Sequence, residues 1–508
     1  MLLTLANKTI GNAIAGVIGY AWPVALTLVT TPYIVHKLGN DVYGVLALVT
    51  SVLGFFAFLD LGITNASVKY IAEAYAKNDI IEISKIIGSS LFVFITVGVI
   101  GGILIAIMTS TLVQRLLKIP PALVSDSMFA FYVASCGFLL NMVVGVFAAV
   151  PRAIQRFDLA TKLNIIIGTT LTLLIVLTVY LGYGLKQVVI INFLSSILSL
   201  IAYAALAKRH LKGITISIQF DHSTFQKLFH FGIYALLATI SSAILFQLDK
   251  LLIGSYLGSA FVAFYVVPAT IAIGIYNIVV NLMGVIFPLC SHLLATGEHD
   301  KLRELYLKAS KYAFIIVISL ATPVVILSNQ IMSHWMGAEY GLKSSSILAI
   351  LAVSSVFTSM TAIPSFILYG IGMPGVNAKF SLLSAILNPC LCVLLIPRIG
   401  LIGAAVANLA NFILVIFYLI TVDRIIIKVG IKRIAREILL KPLAVCVIQA
   451  LIIYYIFMPF VKGLPSLVIV ILVSVGIYYA ISLFMNVLNA EDKNLFKQYL
   501  NIKLKENL

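Results

Sequence analysis

Two opposite charges stand side by side in the long apolar run from Phe229 to Thr270, at Asp249 and Lys250. On insertion scales either charge costs roughly 2.5–3.5 kcal/mol at mid-bilayer, so an ionisable residue at that depth is a functional candidate. Lys250 suits a phosphate or an acidic sugar. Asp249 suits a cation, or could simply hold the lysine. Ser242 lies seven residues before Asp249, on nearly the same helical face, with Leu245 and Phe246 between, which predicts a polar stripe facing a cavity rather than lipid. The alternatives are a self-neutralising pair, or a lysine reaching out toward Tyr256, about 10 Å away at 1.5 Å per residue.

Three other groups carry chemistry. Asp60 lies in FFAFLDLGITNAS (55–67), with Thr64 and Ser67 at i+4 and i+7 and Asn65 nearby. A carboxylate among hydroxyls is the oxygen set a hard cation takes; the alternative is a structural pair with Lys69. Arg152 and Arg156 follow Pro151 in PRAIQRFDLATK (151–162) and, at i, i+4, would present a fork pair to a pyrophosphate; the alternative is that they only set topology. The mate of this segment in the second half, PSFILYGIGMP (364–374), lacks both arginines. Finally, DRIIIKVGIKRIAREILLK (423–441) spaces Lys428, Lys432 and Arg436 by four, which predicts a basic amphipathic helix lying on an anionic leaflet.

The elements that must position these groups are membrane helices. The 508 residues are 62% hydrophobic and 10% charged, with mean hydropathy +1.12, whereas an average soluble chain is about 25% charged. Fourteen apolar runs are long enough to cross a core of roughly 30 Å: 12–35, 42–68, 86–112, 124–150, 162–182, 187–207, 229–256, 260–290, 311–331, 345–369, 377–397, 401–422, 439–461 and 464–487. Bends are expected at Pro23 and Pro32 in the first span, and at Pro268 and Pro288 in the eighth. Lys8 followed by a long apolar run reads as a first span rather than a cleaved signal. No ten-residue alternation suggests an outer-membrane barrel.

With the N-terminus in the cytoplasm, 26 of the 34 Lys and Arg fall on the cytoplasmic side and 7 on the other, Lys250 being within a span. The positive-inside rule therefore puts both termini in the cytoplasm. That distribution accounts for the net charge of +16 without nucleic acid.

The chain also repeats itself. HKLGNDVYGVLALV (36–49) matches SYLGSAFVAFYVVP (255–268), and AYAKNDIIEISKI (74–86) matches LLATGEHDKLREL (293–305), both displaced by 219. GLKQVVIINFL (184–194) matches GLIGAAVANLA (400–410) at 216, with Asn192 over Asn408. The expected organisation is an N-lobe at 1–210 (six spans), a cytoplasmic linker at 211–228 and a C-lobe at 229–422 (six spans). A basic cytoplasmic linker at 423–438, two further spans at 439–487 and a cytoplasmic tail at 488–508 complete it. The fold class is thus all-α polytopic membrane protein, two pseudo-symmetric six-helix lobes around a central cavity plus two C-terminal helices. Parallel repeats are a transporter feature, with the substrate held between lobes that rock about it.

The LG-x-x-x-[YF] turn after span one, the A-x-x-[NG]-[DE] turn after span two, and Q-L-D-K-L-L-I-G-x-x-L-G-x-x-x-[VA]-x-x-Y at 247–265 resemble the polysaccharide transporter branch of the multidrug/oligosaccharidyl-lipid/polysaccharide exporter superfamily, the Wzx-type flippases. The resemblance covers essentially the whole chain. It implies a polytopic cell-membrane protein whose alternately open cavity carries a polyprenyl-(pyro)phosphate-linked oligosaccharide outward for surface polysaccharide (O-antigen, capsule or exopolysaccharide) assembly. Its partners would be that substrate, the bilayer, and polysaccharide polymerase and chain-length proteins. Fourteen spans also resemble the lipid II flippases of the superfamily, in which two extra helices form a groove for the lipid tail. Alternatives within the fold are a lipid II-type peptidoglycan precursor flippase and a cation-coupled multidrug exporter. A membrane polysaccharide polymerase or ligase would need a large extracytoplasmic loop, and the longest outer loops here are short, around Ser110–Leu123 and Ser328–Leu342.

The remaining residues suggest no enzyme. All five cysteines (Cys136, Cys290, Cys390, Cys392, Cys446) lie in apolar segments, with neither a disulfide framework nor zinc spacing. None of the seven histidines is mid-span, and Trp335 is expected at an interface. With no catalytic triad, metal set or phosphate-cradling glycine loop, no cofactor is expected. In the absence of an ATP site, energy would come from coupling to H+ or Na+, from the membrane potential or from the substrate gradient.

Overall fold

The structure is a computed structural model describing residues 22–211, 213–283 and 286–487. The start of the first predicted span (12–21), Lys8 and the tail 488–508 lie outside those residues; residues 22–38 are helical. The regular elements among the described residues are all helical. Thirteen of these helices are long and apolar enough to cross a membrane, and they coincide with predicted spans two to fourteen. The protein is a multi-pass membrane protein.

Predicted span two and the predicted basic linker are interrupted, each for a local reason. Span two runs as Asn40–Phe56, tightens into a 3₁₀ turn at Ala57–Asp60 and restarts as Ile63–Ala76. Leu61 (φ 53°) and Gly62 (φ 70°) adopt left-handed conformations between the pieces. The segment 423–441 is not one amphipathic helix: Lys428 (φ 53°) and Gly430 (φ 93°) break it, and helix resumes at Ile431. Buried Asp423 holds the break, its carboxylate accepting from the Val429 and Gly430 amides at 3.0–3.2 Å.

The repeat is visible in the backbone. In the first polar turn the Asn78 amide donates to Tyr75 O (3.1 Å) and Asp79 to Ala74 O (3.0 Å). In the second, 219 residues on, Gly297 donates to Leu294 O (3.0 Å) and Glu298 to Leu293 O (2.9 Å). Asn78 and Gly297 share positive φ, 54° and 72°, and Asn and Gly are the residues that reach this region at least cost. The two LG turns agree likewise, with Gly39 at φ 84° and Gly258 at φ 109°.

The chain packs as two compact units, Met1–Val267 with Met373–Asn411, and Pro268–Gly372 with Phe412–Leu508. Units and repeat copies are different partitions of the chain. In the first unit both LG turns meet. Ser259 Oγ donates to Asp41 Oδ1 at 2.6 Å, and Gly44 approaches so closely that an added Cβ would lie 1.8 Å from Ser259 O. Lys118 ties down the same corner, its amide donating to Gly254 O and its Nζ to Tyr256 O. In the second unit, Gln449 of span thirteen donates to Ser319 O of span nine (3.3 Å) and Ser474 O of span fourteen (3.0 Å), so the two C-terminal spans are fastened to span nine within it.

Candidate translocation site

Asp249 is 5% exposed and follows a single π turn at Ile244–Leu248 in span seven. That turn decides which residues share its face. A π turn carries one residue more than an α turn, so the position level with Asp249 moves from seven residues back to eight. Ser241 is accordingly buried (1%), its hydroxyl bonded to Leu237 O, while Ser242 is exposed. The predicted Ser242–Asp249 stripe does not form.

Asp249 does not pair with Lys250 either. Lys250 Nζ turns back to Phe246 O (2.6 Å) and Gln247 Oε1 (3.1 Å), and only its backbone amide reaches Asp249 Oδ1 (2.8 Å). The partner of the carboxylate is Tyr265, whose hydroxyl donates to Oδ2 at 2.7 Å and accepts from Asn408 Nδ2 at 2.9 Å. Tyr265 is 1% exposed. The buried Cys392 thiol on the helix Pro374–Ile399 lies within electrostatic reach of Asp249. A buried carboxylate held by a hydroxyl and an amide, with its lysine turned elsewhere, offers oxygen ligands to a small cation.

The sequence motif thus closes on itself. Gln247 at its start holds Lys250, and Tyr265 at its end holds Asp249. The chemistry of Tyr265, Asn408 and Cys392 does not mark them as site residues in the sequence, but two signals do: Tyr265 is the motif's last fixed position, and Asn408 is the repeat mate of Asn192.

Asp60 stands at the break in span two. Its Oδ1 accepts from the Thr64 amide (3.1 Å) and hydroxyl (2.7 Å), so it caps the helix Ile63–Ala76 in the manner of an N-terminal cap. Lys69 pairs with Glu73 instead, at 3.8 Å. The left-handed break turns Ser67 away, and its hydroxyl meets Ser90 at 2.9 Å. The cation whose field reaches Asp60 is Arg152, which also acts on Tyr203. Arg152 Nε donates to Ala148 O (3.1 Å), and its two terminal amino groups make no hydrogen bond to a described residue. The predicted Arg152–Arg156 fork is absent because the helix Val124–Ala153 ends before Arg156, and Gln155 is left-handed. Arg156 makes an exposed bidentate pair with Asp158 (2.9 and 3.0 Å).

The second unit contributes a cavity of about 580 Å³ lined by spans nine, ten, twelve and thirteen, including Phe314, Phe357, Ile416 and Leu443. Among the described residues lining it, the one hydroxyl and one thiol, on Thr322 and Cys446, lie 3.1 Å apart and satisfy each other.

These features define a class: a multi-pass, all-helical membrane protein with a buried carboxylate cluster and an apolar cavity. The fold is similar to that of a solved lipid II flippase, MurJ, in an inward closed conformation (TM-score 0.70, 15% identity, 94% of this chain and 99% of that one). It is also similar to an inward-facing multidrug resistance MATE family transporter (TM-score 0.69, 16% identity, 81% and 98%). Residues 12–294 match the model of the family described as "Polysaccharide biosynthesis protein", and the chain belongs to that family, as the motifs implied. Among curated relatives it is 21% identical over 398 residues (78% of this chain, 93% of the relative) to a "Putative O-antigen transporter" of Shigella flexneri. It is 25% identical over 187 residues (37% and 39%) to a "Probable low-salt glycan biosynthesis flippase" of Haloferax volcanii.

Proposed function

We propose that this protein is a flippase that moves a polyprenyl-(pyro)phosphate-linked oligosaccharide from the cytoplasmic to the outer leaflet of the cell membrane for surface polysaccharide assembly. It works by alternating access, with both termini cytoplasmic, and makes or breaks no covalent bond. The observation that carries this reading is a division of chemistry matched to an amphiphile. One unit holds Arg152, with uncommitted guanidinium donors in the last turn of span four, together with Asp60 and Asp249 within their spans. The other holds a 580 Å³ apolar cavity built partly from span thirteen, outside the repeat. Guanidinium is the planar, always-charged donor suited to phosphate, and an apolar cavity is what an isoprenoid tail requires. The names of the glycan-handling relatives agree with this reading. Within it, Asp249 with Tyr265 and Asn408 is the coupling site for H+ or Na+, and polysaccharide polymerase and chain-length proteins are the downstream partners.

The test is reconstitution in liposomes with a labelled polyprenyl-pyrophosphate oligosaccharide, scoring label exposed at the far leaflet with and without a proton or sodium gradient. Flipping above protein-free liposomes, lost in Asp249→Asn under a gradient, is expected. No acceleration while a control flippase is active refutes it.

A further inference from the structure

The first unit contains a second cavity, of about 390 Å³, enclosed by spans two, four, five and six. That is within the roughly 300–1,000 Å³ of small-molecule sites. It is lined by Thr50, Asn141, Asn164, Asn192, Ser195 and Ser196 among apolar neighbours, and no charged residue lines it. The three asparagines come from three spans, and each is exposed. Asn164 and Asn192 lie seven residues inside the helices Phe157–Tyr180 and Leu185–His210, about 10 Å from the helix start. An amide at that depth facing hydrocarbon would cost several kcal/mol, so these side chains face a polar occupant.

Their orientation is fixed by the protein, which leaves part of each amide uncommitted. Asn192 Nδ2 donates to Val188 O, Asn141 Oδ1 accepts from Ser196, and Asn164 Oδ1 accepts from the Tyr203 hydroxyl. Asn141 Nδ2, Asn164 Nδ2, Asn192 Oδ1 and the Ser195 hydroxyl make no hydrogen bond to a described residue. This neutral mixture of donors and acceptors complements hydroxyl groups, each of which donates and accepts.

The repeat shows why the cavity is open. Leu46 and Asn192, which line it, are the mates of Tyr265 and Asn408, and Thr30 is the mate of Asp249. In the second copy a tyrosine and a buried carboxylate close the Asn408 amide into a hydrogen-bonded cluster. In the first copy the same frame carries leucine and threonine, and the Asn192 amide is left to a ligand.

We propose that this cavity binds an uncharged sugar ring of the translocated oligosaccharide and disfavours acidic sugars, for which it offers no cation. The proposal rests on the flippase reading for the identity of the cargo.

The chain has a built-in reporter. Trp22, one of two tryptophans, donates to Thr169 Oγ1 at 2.9 Å, next to the cavity-lining Gly168. In full-length Trp335→Phe protein in nanodiscs, Trp22 emission is titrated with glucose, N-acetylglucosamine and glucuronate. A saturable response to the neutral sugars, at least tenfold weaker with glucuronate, is expected. Nothing lies within 4 Å of a Cβ added at Gly168, so Gly168→Phe fills the cavity without moving backbone. It should abolish the response and slow flipping of a neutral lipid-linked oligosaccharide at least tenfold with an unchanged thermal midpoint; Asn192→Leu should do the same where Gly168→Phe fails to accumulate. Silence of Trp22, an equal response to glucuronate, or flipping by the plugged variants at the rate of the parent overturns the proposal and leaves the flippase reading standing. Absence of flipping by the parent itself strikes that reading, while the sugar titration still decides the cavity.

Discussion

Replacing Tyr265 by Phe removes one oxygen from a site that is almost closed to solvent, with Tyr265 1% and Asp249 5% exposed. The lost hydroxyl donates to Asp249 at 2.7 Å and accepts from Asn408 at 2.9 Å. Asn408 Nδ2 retains a longer contact to Ala404 O at 3.5 Å, so most of the damage falls on the carboxylate. A hydrogen bond to an ionised group contributes about 1.5–3 kcal/mol, whereas neutral interhelical pairs in membrane proteins average about 0.6 kcal/mol. The coupling energy therefore reports the charge carried by Asp249. A double-mutant cycle of Tyr265→Phe with Asp249→Leu, followed by reversible SDS unfolding in bicelles, should give 1.5–3 kcal/mol of coupling. A coupling near 0.6 kcal/mol or below would refute a charge-assisted Asp249–Tyr265 bond and, with it, the reading of this cluster as a site for Na+.

The two arginines should separate cleanly. Arg152→Ala is expected to reduce flipping at least tenfold, while Arg156→Ala, which breaks only an exposed, solvent-screened pair, stays within twofold in the same liposome assay. Leu443→Phe with Ile416→Phe puts bulk into the apolar cavity from two exposed lining positions; it should slow flipping of long-chain polyprenyl substrates several-fold and leave the Trp22 sugar response intact in the Trp335→Phe background. Asp221 caps the helix His222–Ala243, outside the spans, and bonds from Ser223 and Thr224 hold its carboxyl well below the usual range. A depressed carboxyl stabilises above the unfolded value of about 3.9 and loses that contribution as pH falls below it. Exchange of the Thr224 amide, corrected for intrinsic rates, should therefore keep its protection from pH 7 down to about 4 and lose it below, whereas in Asp221→Ala it should be unprotected throughout.

Hydropathy located spans two to fourteen to within a few residues at most ends, because the cost of exposing backbone to lipid leaves helices as the only option for an unclosed chain. The features it missed are those in which one residue changes the helical count. Ser242 and Asp249 share a face in a uniform α-helix, and the π turn at Ile244–Leu248 separates them. Ser67 follows Asp60 on a uniform helix, and two left-handed residues send it to Ser90 instead. Neither departure has a periodicity signal, since both leave composition unchanged. Glycine pointed to one of them: Gly62 lies in the break.

The partner of Asp249 is not legible in helical periodicity because it lies sixteen residues away across the LG turn. That distance explains the motif. Gln247, Asp249, Lys250, the two LG residues and Tyr265 form one folded corner, in which Gly258 turns the chain so that Tyr265 reaches back onto the carboxylate. Retaining that corner in one repeat copy and not the other has a chemical consequence. The copy with Asp249 and Tyr265 closes into a charged cluster suited to a cation, whereas the copy with Thr30 and Leu46 leaves a neutral cavity. A duplicated frame can thereby serve cargo and coupling ion with different halves. Restoring the first copy with Leu46→Tyr tests that argument directly, since it should fill the neutral cavity and suppress the Trp22 sugar response while leaving the Asp249–Tyr265 coupling energy unchanged.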